Sequence, residues 1–205
     1  RPVRSAGLMR RALQYSVVAG RILSLHEEEP TLASGGHMHE GAVSAELGIG
    51  GWPSIAESVM IERDVALAQY ESRPLHFMHL SAQESVDALR RARELGVEAS
   101  GEVSPHHLCL TDEAVRSLDT NLKMNPPLGA EADRQALLEG VRDGTIEAIA
   151  TDHAPHALHE KEVPFEEAPF GVTGLETAFS VLYSRLVVTG ALGLGVLIER
   201  MTSGP

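Results

Sequence analysis

Residues 75–103, LHFMHLSAQESVDALRRARELGVEASGEV, decide the fold class of this chain. The stretch opens with a short apolar run, residues 75–80, which predicts a buried strand. Apolar side chains then recur at helical spacing until Gly96, which predicts a helix and its stop. Residues 97–103 form a second apolar run that predicts another strand. Strand, helix and strand at this spacing are typical of a parallel βαβ unit.

The same alternation continues on both sides of this unit. Further strands are predicted at residues 21–26, 123–125 and 146–151, with helices before residue 20 and over residues 54–70, 131–142 and 174–201. A doubly wound sheet and a barrel both fit this rhythm. We interpret residues 1–205 as one incomplete α/β domain, a partial (β/α)8 barrel of TIM type, because polar residues stand at the carboxyl ends of several strands. Five strands cannot close an eight-stranded barrel, so about three strands are expected before residue 1.

Composition excludes several classes of function. The net charge of −12 and the single Trp52 argue against nucleic-acid binding, which needs clustered cations or stacking aromatics. No apolar stretch has the length of a membrane span. One cysteine, Cys109, excludes an internal disulfide and fits a reducing cytoplasm. The composition therefore suits a soluble cytoplasmic enzyme without nucleic-acid or membrane partners, and says little about its substrate.

Three residues that could bind a metal each follow a predicted strand: His26, His79 and Asp152. Imidazole and carboxylate groups are standard zinc ligands, and ligands on separate strands can converge at the mouth of a barrel. Asp152 could also act as a general base and accept the proton of an attacking water. Taken singly, each histidine could be a satisfied core residue and Asp152 a helix N-cap. Three such residues at strand ends favour the metal site.

Other polar residues have weaker signals. The amide of Asn125 can hydrogen-bond an amide or ureide substrate, although a turn before proline is an equally good interpretation. His106 and His107 are predicted to be supporting or structural residues.

Residues 157–173 form a long segment with a charged middle, and we predict a solvated, mobile lid over the site. Its far end carries Phe170 and Gly171, whose backbone N–H groups could bind a carboxylate or ureide.

Taken together, these segments resemble the bacterial type I dihydroorotases. The resemblance runs nearly from end to end and is most specific over residues 121–177. It rests on segments that include Gly35-Gly-His-Met-His-Glu-Gly41, His79-Leu-Ser81, Glu102-Val-Ser-Pro-His-His-Leu108, Lys123-Met-Asn-Pro-Pro-Leu128, Ala150-Thr-Asp-His-Ala-Pro-His156 and Ala168-Pro-Phe-Gly171.

The resemblance implies a zinc-dependent hydrolase with two zinc ions per complete site. Such an enzyme interconverts N-carbamoyl-L-aspartate and L-dihydroorotate in de novo pyrimidine biosynthesis. By position, His26 and His79 would bind one zinc, and Asp152 would bind the other and shuttle a proton. Substrate contacts would come from Asn125, His156, Phe170 and Gly171. A homo-oligomer or a complex with aspartate transcarbamoylase is the implied assembly.

The sequence departs from the family pattern at several points. The family's His-x-His ligand pair and metal-bridging Asp would precede residue 1, so the chain as given is not expected to form a whole active site. His26 is followed by three glutamates instead of Cys-Glu-Asp, and Gly129 stands where an arginine is usual. The sequence also ends at Pro205, short of the family's C-terminal segment. Two alternatives stay open: a hydantoinase or allantoinase, and an inactive structural partner of aspartate transcarbamoylase.

Overall fold

A computed structural model of the protein describes residues 2–205. The strands are β1 (Leu23–Leu25), β2 (Met38–His39), β3 (Gly51–Trp52), β4 (Leu75–Phe77), β5 (Ala99–Val103) and β6 (Ala148–Ile149). The α-helices are α1 (Ala6–Ala19), α2 (Ala42–Leu47), α3 (Ile55–Glu71), α4 (Gln83–Glu94), α5 (Pro105–Cys109), α6 (Glu131–Asp143), α7 (Leu158–Lys161), α8 (Ala178–Leu182) and α9 (Leu194–Met201). Two 3₁₀ helices span Asp112–Ser117 and Thr120–Leu122, and a π-helix spans Tyr183–Val187. Within residues 2–205 no helix is both long and apolar enough to cross a membrane.

A four-stranded parallel sheet organises the chain, in the order β1-β4-β5-β6. Because every pair is parallel, the carboxyl ends of all four strands lie at the same edge of the sheet. Helices cover the sheet in chain order, with α1 against α3, α3 against α4, α4 against α6 and α6 against α9. The predicted α/β class with parallel strands is confirmed.

Strand β5 shows how the two faces of the sheet differ. Its side chains alternate between buried Ala99 and Val103, which join the apolar core under the helices, and half-buried Ser100 and Glu102. On the second face His76 of β4 bridges two of these polar groups, with Nδ1 2.8 Å from Ser100 Oγ and Nε2 3.1 Å from Glu102 Oε2. The period-2 pattern therefore separates an apolar face for the helices from a polar face.

Two predicted elements differ from the structure. Residues 123–125 are not a strand but follow the Thr120–Leu122 3₁₀ helix, because Pro126 and Pro127 directly after them have no N–H group to pair in a sheet. Residues 31–53 are rich in Gly, Ser and His, which predicts a long loop, but they contain α2 and the parallel pair β2 and β3. Strands of two residues are too short to show a period in the sequence.

The segment 157–173 also differs from its prediction as a solvated loop. It contains the short helix α7, and Lys161 within it is buried. The charge of this side chain is satisfied by backbone carbonyls that are distant in sequence, which a local reading of charge does not reveal.

A buried glutamate joins α3 to the start of α4. Ser81 donates from its backbone N and from Oγ to the carboxylate of Glu57, over 3.0 and 2.6 Å. Sequence spacing suggests instead a capping box between Ser81 and Glu84, but α4 begins at Gln83, whose N–H donates to Asp133 over 2.9 Å. Tertiary contacts thus replace the local cap. Burial is the main cause that raises the pKa of Glu57 to about 7, against 4.5 for a free glutamate.

We expect Glu57 to make the stability of the protein depend on pH. Because its pKa is higher in the folded than in the unfolded chain, the folded state binds this proton more tightly, and the contribution of Glu57 to stability falls as pH rises from about 4.5 to about 7. The shift corresponds to about 3 kcal/mol of unfolding free energy. Other buried groups, among them Glu27 and His79, also have shifted pKa values, so the test is a difference between variants. In urea unfolding, the stability advantage of the wild type over Glu57→Gln should fall by about 3 kcal/mol across this range. The difference between wild type and Glu62→Gln, an exposed change on the same helix, should stay constant; a constant difference for Glu57→Gln contradicts the assignment.

Candidate active site

Two of the predicted metal ligands meet at the carboxyl ends of neighbouring strands. His26 follows β1 directly, and His79 lies two residues beyond β4. Nδ1 of His26 is 2.8 Å from Nε2 of His79, and the two rings pack edge to face with their centroids 4.7 Å apart. The residues are 53 positions apart in sequence, so the parallel pairing of their strands brings them together.

The backbone is strained at two of the three candidate ligands. His79 has φ of 35° and Asp152 has φ of 47°, both in the left-handed region that residues other than glycine rarely adopt. Such conformations cost about 1–3 kcal/mol each and cluster at functional sites, where surrounding structure holds them. Strand ends that turn sharply in this way point their side chains away from the sheet core and toward a common mouth.

An open cavity of about 780 Å³ lies at this edge of the sheet. It is large enough for a small-molecule substrate. All three predicted metal ligands face it together with two predicted substrate contacts; its wall comprises Pro2, Arg4, His26, Glu28, Met78, His79, Asn125, Asp152 and Phe170.

The other two predicted substrate contacts lie behind this wall. The Nε2 atom of His156 is 2.8 Å from the carbonyl oxygen of Phe170, and the N–H of Gly171 donates to the carbonyl of Lys123 over 2.9 Å. The backbone donor of Gly171 is therefore already used by the protein. In this structure His156 and Gly171 support Phe170 instead of lining the cavity.

Glu28 is a site residue that our sequence reasoning did not single out. Its Oε2 lies 3.1 Å from Nε2 of His26 and accepts from Nδ2 of Asn125 over 3.2 Å. The carboxylate thus orients a candidate ligand and a candidate substrate contact at once, as supporting carboxylates do for metal-bound histidines. Its position two residues after His26, on the same side of an extended segment, is the signal that could have identified it.

Burial sets the protonation of His79. It lowers the pKa of His79 to about 3, with His26 and His107 adding to the effect. The imidazole of His79 is therefore neutral near pH 7, which is the form that binds metals. At Asp152 burial raises the pKa of the carboxyl, and Glu102 adds to this while His26 opposes it.

The described residues include side chains with the donor chemistry of a metal ligand. Within residues 2–205 no three His, Cys, Asp or Glu side chains are close enough together to hold a metal ion by themselves. The same range leaves Nδ1 of His79 and Oδ1 of Asn125 buried without a hydrogen-bond partner. Two facing imidazoles with a carboxylate on the same cavity are a donor set that fits zinc.

His106 and His107, which follow each other in sequence, lie in two different environments. His107 is held between Ser104 Oγ at 2.7 Å and the carbonyl of Pro126 at 3.0 Å, a structural arrangement. His106 is buried, and its Nε2 has no partner among the residues described. Neither side chain lines the cavity of about 780 Å³.

A search against protein-family models finds no match. Curated dihydroorotases, in contrast, match the whole chain. The enzyme from Pelotomaculum thermopropionicum is 48% identical over 204 residues, and that from Caldanaerobacter subterraneus is 46% identical over 204 residues. The Bacillus subtilis enzyme is 47% identical over 203 residues. This chain is a homologue of dihydroorotases. It spans about half the length of these relatives, 48% of the Pelotomaculum protein and 47% of the Caldanaerobacter protein.

Solved structures establish the architecture. The L-hydantoinase (dihydropyrimidinase) from Arthrobacter aurescens superposes on 98% of this chain and 46% of its own with a TM-score of 0.86. A D-hydantoinase from Bacillus sp. AR9 superposes on 95% of this chain and 45% of its own with a TM-score of 0.80. At 24% and 22% identity these similarities show the fold alone. The predicted partial TIM-type barrel is confirmed. This chain contributes four parallel strands to the barrel.

We expect Glu28→Gln to weaken zinc binding at the histidine pair. The amide keeps the shape of the side chain but loses the charge that orients His26, and such supporting contacts typically contribute about 10–100-fold in metal affinity. Competition with a chromophoric chelator on the natural protein that carries this chain measures the change. Glu167→Gln, which removes an exposed charge elsewhere, should leave the affinity unchanged. Equal affinity in wild type and Glu28→Gln would show that this carboxylate has no role at the metal.

Proposed function

We propose that the natural protein carrying this chain is a zinc-dependent dihydroorotase. It would interconvert N-carbamoyl-L-aspartate and L-dihydroorotate in de novo pyrimidine biosynthesis, in the cytoplasm. The observation that carries the proposal is the convergence of His26, His79, Asp152 and Asn125 on one cavity, in a chain 46–50% identical to dihydroorotases. Its binding partner as an enzyme would be this small-molecule substrate.

The metal would be held by residues at the strand ends. His26 and His79 would bind one zinc ion, and Asp152 would contribute its carboxylate to a second. Bound zinc would polarise the amide carbonyl of the substrate and lower the pKa of the attacking water. The remaining ligands of a two-zinc site would come from outside residues 2–205, because this range holds no group of three close ligands.

The protein's own side chains would move the proton and orient the substrate. Asp152 would accept the proton of the attacking water and return it to the ring nitrogen that leaves. Asn125 donates to Glu28, which fixes its amide, while its buried Oδ1 is left to accept an N–H of the ureide.

Two further groups on the wall suit the substrate. Arg4, on the cavity wall, would provide a guanidinium for the substrate carboxylate. Phe170 closes one side of the cavity with an apolar surface, which would help to exclude bulk water.

The choice among cyclic-amide hydrolases rests on sequence. The hydantoinase structures are 24% identical or less, whereas the dihydroorotases are about twice as similar. Turnover of dihydroorotate, hydantoin and allantoin by the natural protein tests the choice directly. Dihydroorotate is expected to have the highest kcat/KM, and a preference for hydantoin or allantoin would replace the proposal.

The catalytic side chains also favour an enzyme over a purely structural partner of aspartate transcarbamoylase. An inactive partner has no need to keep two strained ligand positions facing a cavity. Co-elution with aspartate transcarbamoylase on gel filtration, measured beside turnover, separates these roles and also reports any homo-oligomer. A complex without turnover would support the structural role.

We expect Asp152→Asn to lower turnover more than substrate binding. An amide keeps the shape of the side chain but is a poor base and a weaker zinc ligand, and loss of general-base help alone typically costs about 10²–10⁴-fold in rate. Steady-state kinetics with dihydroorotate, together with zinc content, measures the effect. Asp119→Asn, at an exposed turn away from the cavity, is the matched control. Near wild-type turnover in Asp152→Asn would mean that the residue is structural.

A further inference from the structure

The sequence uses lysine at only two of its 17 Lys and Arg positions, Lys123 and Lys161, and both side chains are buried. Their relative exposures are 2% and 9%. A buried ammonium group is costly unless each of its three N–H donors has an acceptor. Within residues 2–205 neither ammonium forms an ion pair with a carboxylate, so other acceptors must satisfy them.

Lys123 joins three segments of the chain. Its Nζ donates to the carbonyl oxygens of Phe165 and Glu166, both over 2.9 Å, and lies 3.2 Å from Nδ1 of His37. It also lies 4.7 Å from the ring centroid of Phe170, within the range of a cation–π contact. One ammonium thus links residues 31–53 and 157–173 to the segment 120–125.

Lys161 makes the reciprocal connection from within the 157–173 segment. Its Nζ donates to the carbonyl oxygens of Thr120 over 2.9 Å, Lys123 over 3.3 Å and Pro169 over 2.8 Å. Three carbonyls that converge on one point suit the compact, tetrahedral ammonium of lysine better than the planar fork of arginine. This geometry gives a physical reason for lysine at these two positions in a chain that otherwise uses arginine.

The two lysines hold Phe170 from both sides. Lys161 binds the carbonyl of Pro169, and the N–H of Gly171 donates to the carbonyl of Lys123 over 2.9 Å. The ring between these ties lies on the cavity wall and packs edge to face on Trp52, with centroids 6.3 Å apart. Asn125, on the same wall, lies two residues after Lys123.

We propose that Lys123 and Lys161 are positioning residues that form an ammonium clamp. The clamp fixes residues 157–173 against residues 120–125 and thereby sets Phe170 and Asn125 at the edge of the substrate cavity. It replaces the sequence-based interpretation of 157–173 as a solvated, mobile lid. Its effect on substrate rests on the proposed dihydroorotase function, whereas the clamp itself can be measured without turnover.

The first experiment measures the clamp in the unmodified natural protein. With only two lysines in this chain, amine-reactive labelling followed by mass spectrometry reports each ammonium separately. Both should react more slowly in the native than in the urea-unfolded protein, and hydrogen exchange should show protection at Gly171. Labelling of either lysine at the unfolded rate, or unprotected exchange at Gly171, overturns the clamp whatever the protein catalyses.

The second experiment tests the positioning role with Lys161→Met. Methionine has similar length and is apolar, so it removes the ammonium donor that links the three carbonyls. Residues 157–173 should lose exchange protection, KM for dihydroorotate should rise, and kcat/KM should fall by about 10–10²-fold, the scale of a misplacement of about 1 Å. Zinc content should not change, because neither lysine lies on the cavity wall. Glu162→Met, at an exposed position in the same segment, is the matched control and should leave both readouts unchanged.

The outcomes separate the two proposals. Loss of loop protection with a raised KM and unchanged zinc content supports positioning by the clamp. Loss of protection with unchanged KM would show that the clamp has only a structural role. Absence of dihydroorotate turnover in the wild type would contradict the proposed function, while the labelling and exchange results would still decide the clamp. Should Lys161→Met fail to fold, the labelling of the unmodified protein decides.

Discussion

The parallel pairing of β1 with β4 is the constraint on which the candidate site depends. In this register Leu25 lies beside Phe77, and the N–H of Met78 continues the ladder to the carbonyl of Leu25 over 2.9 Å. The next residue of each chain segment is then His26 on one strand and His79 on the other, and their nitrogens meet. A shift of the register by one residue would exchange the two faces of a strand and send these imidazoles apart. The apolar core under the helices, which fixes the register, therefore also fixes the donor pair.

The strained residues show how that constraint is used. His79 and Asp152 both have positive φ, two and three residues beyond the ends of β4 and β6, a conformation that a free chain would rarely adopt. The surrounding ladder holds it in place at His79, since the N–H of Leu80 donates to the carbonyl of Glu102 over 2.8 Å. Glu57 adds a second restraint from α3 through the backbone and hydroxyl of Ser81. Packing energy elsewhere thus offsets the cost of turning the ligand side chains into the cavity.

The rest of the cavity wall is built from segments that have little regular structure. Glu28, Asn125 and Phe170 come from three separate parts of the chain, and each is oriented by a polar contact instead of by a strand. Buried ammonium groups suit this task because one lysine can satisfy three carbonyls at once from different segments. The barrel edge thus supplies the candidate ligands, and clamped loops supply the surface that would face the substrate.

The sequence by itself determined the α/β class, the parallel rhythm of strands and helices, and the strand-end positions of His26, His79 and Asp152. These follow from periodicity over several residues and from local order along the chain, and the 46–50% identity to dihydroorotases rests on the same motifs. Only the tertiary structure decided the role of Glu28 as a support for two site residues, the placement of His156 and Gly171 behind Phe170, and the burial of Lys161. It also decided that residues 123–125 are not a strand and that Glu57, rather than Glu84, receives the hydrogen bonds of Ser81. Each of these depends on contacts between residues that are distant along the chain. Such contacts produce no periodic pattern in the sequence, so the sequence alone does not predict them.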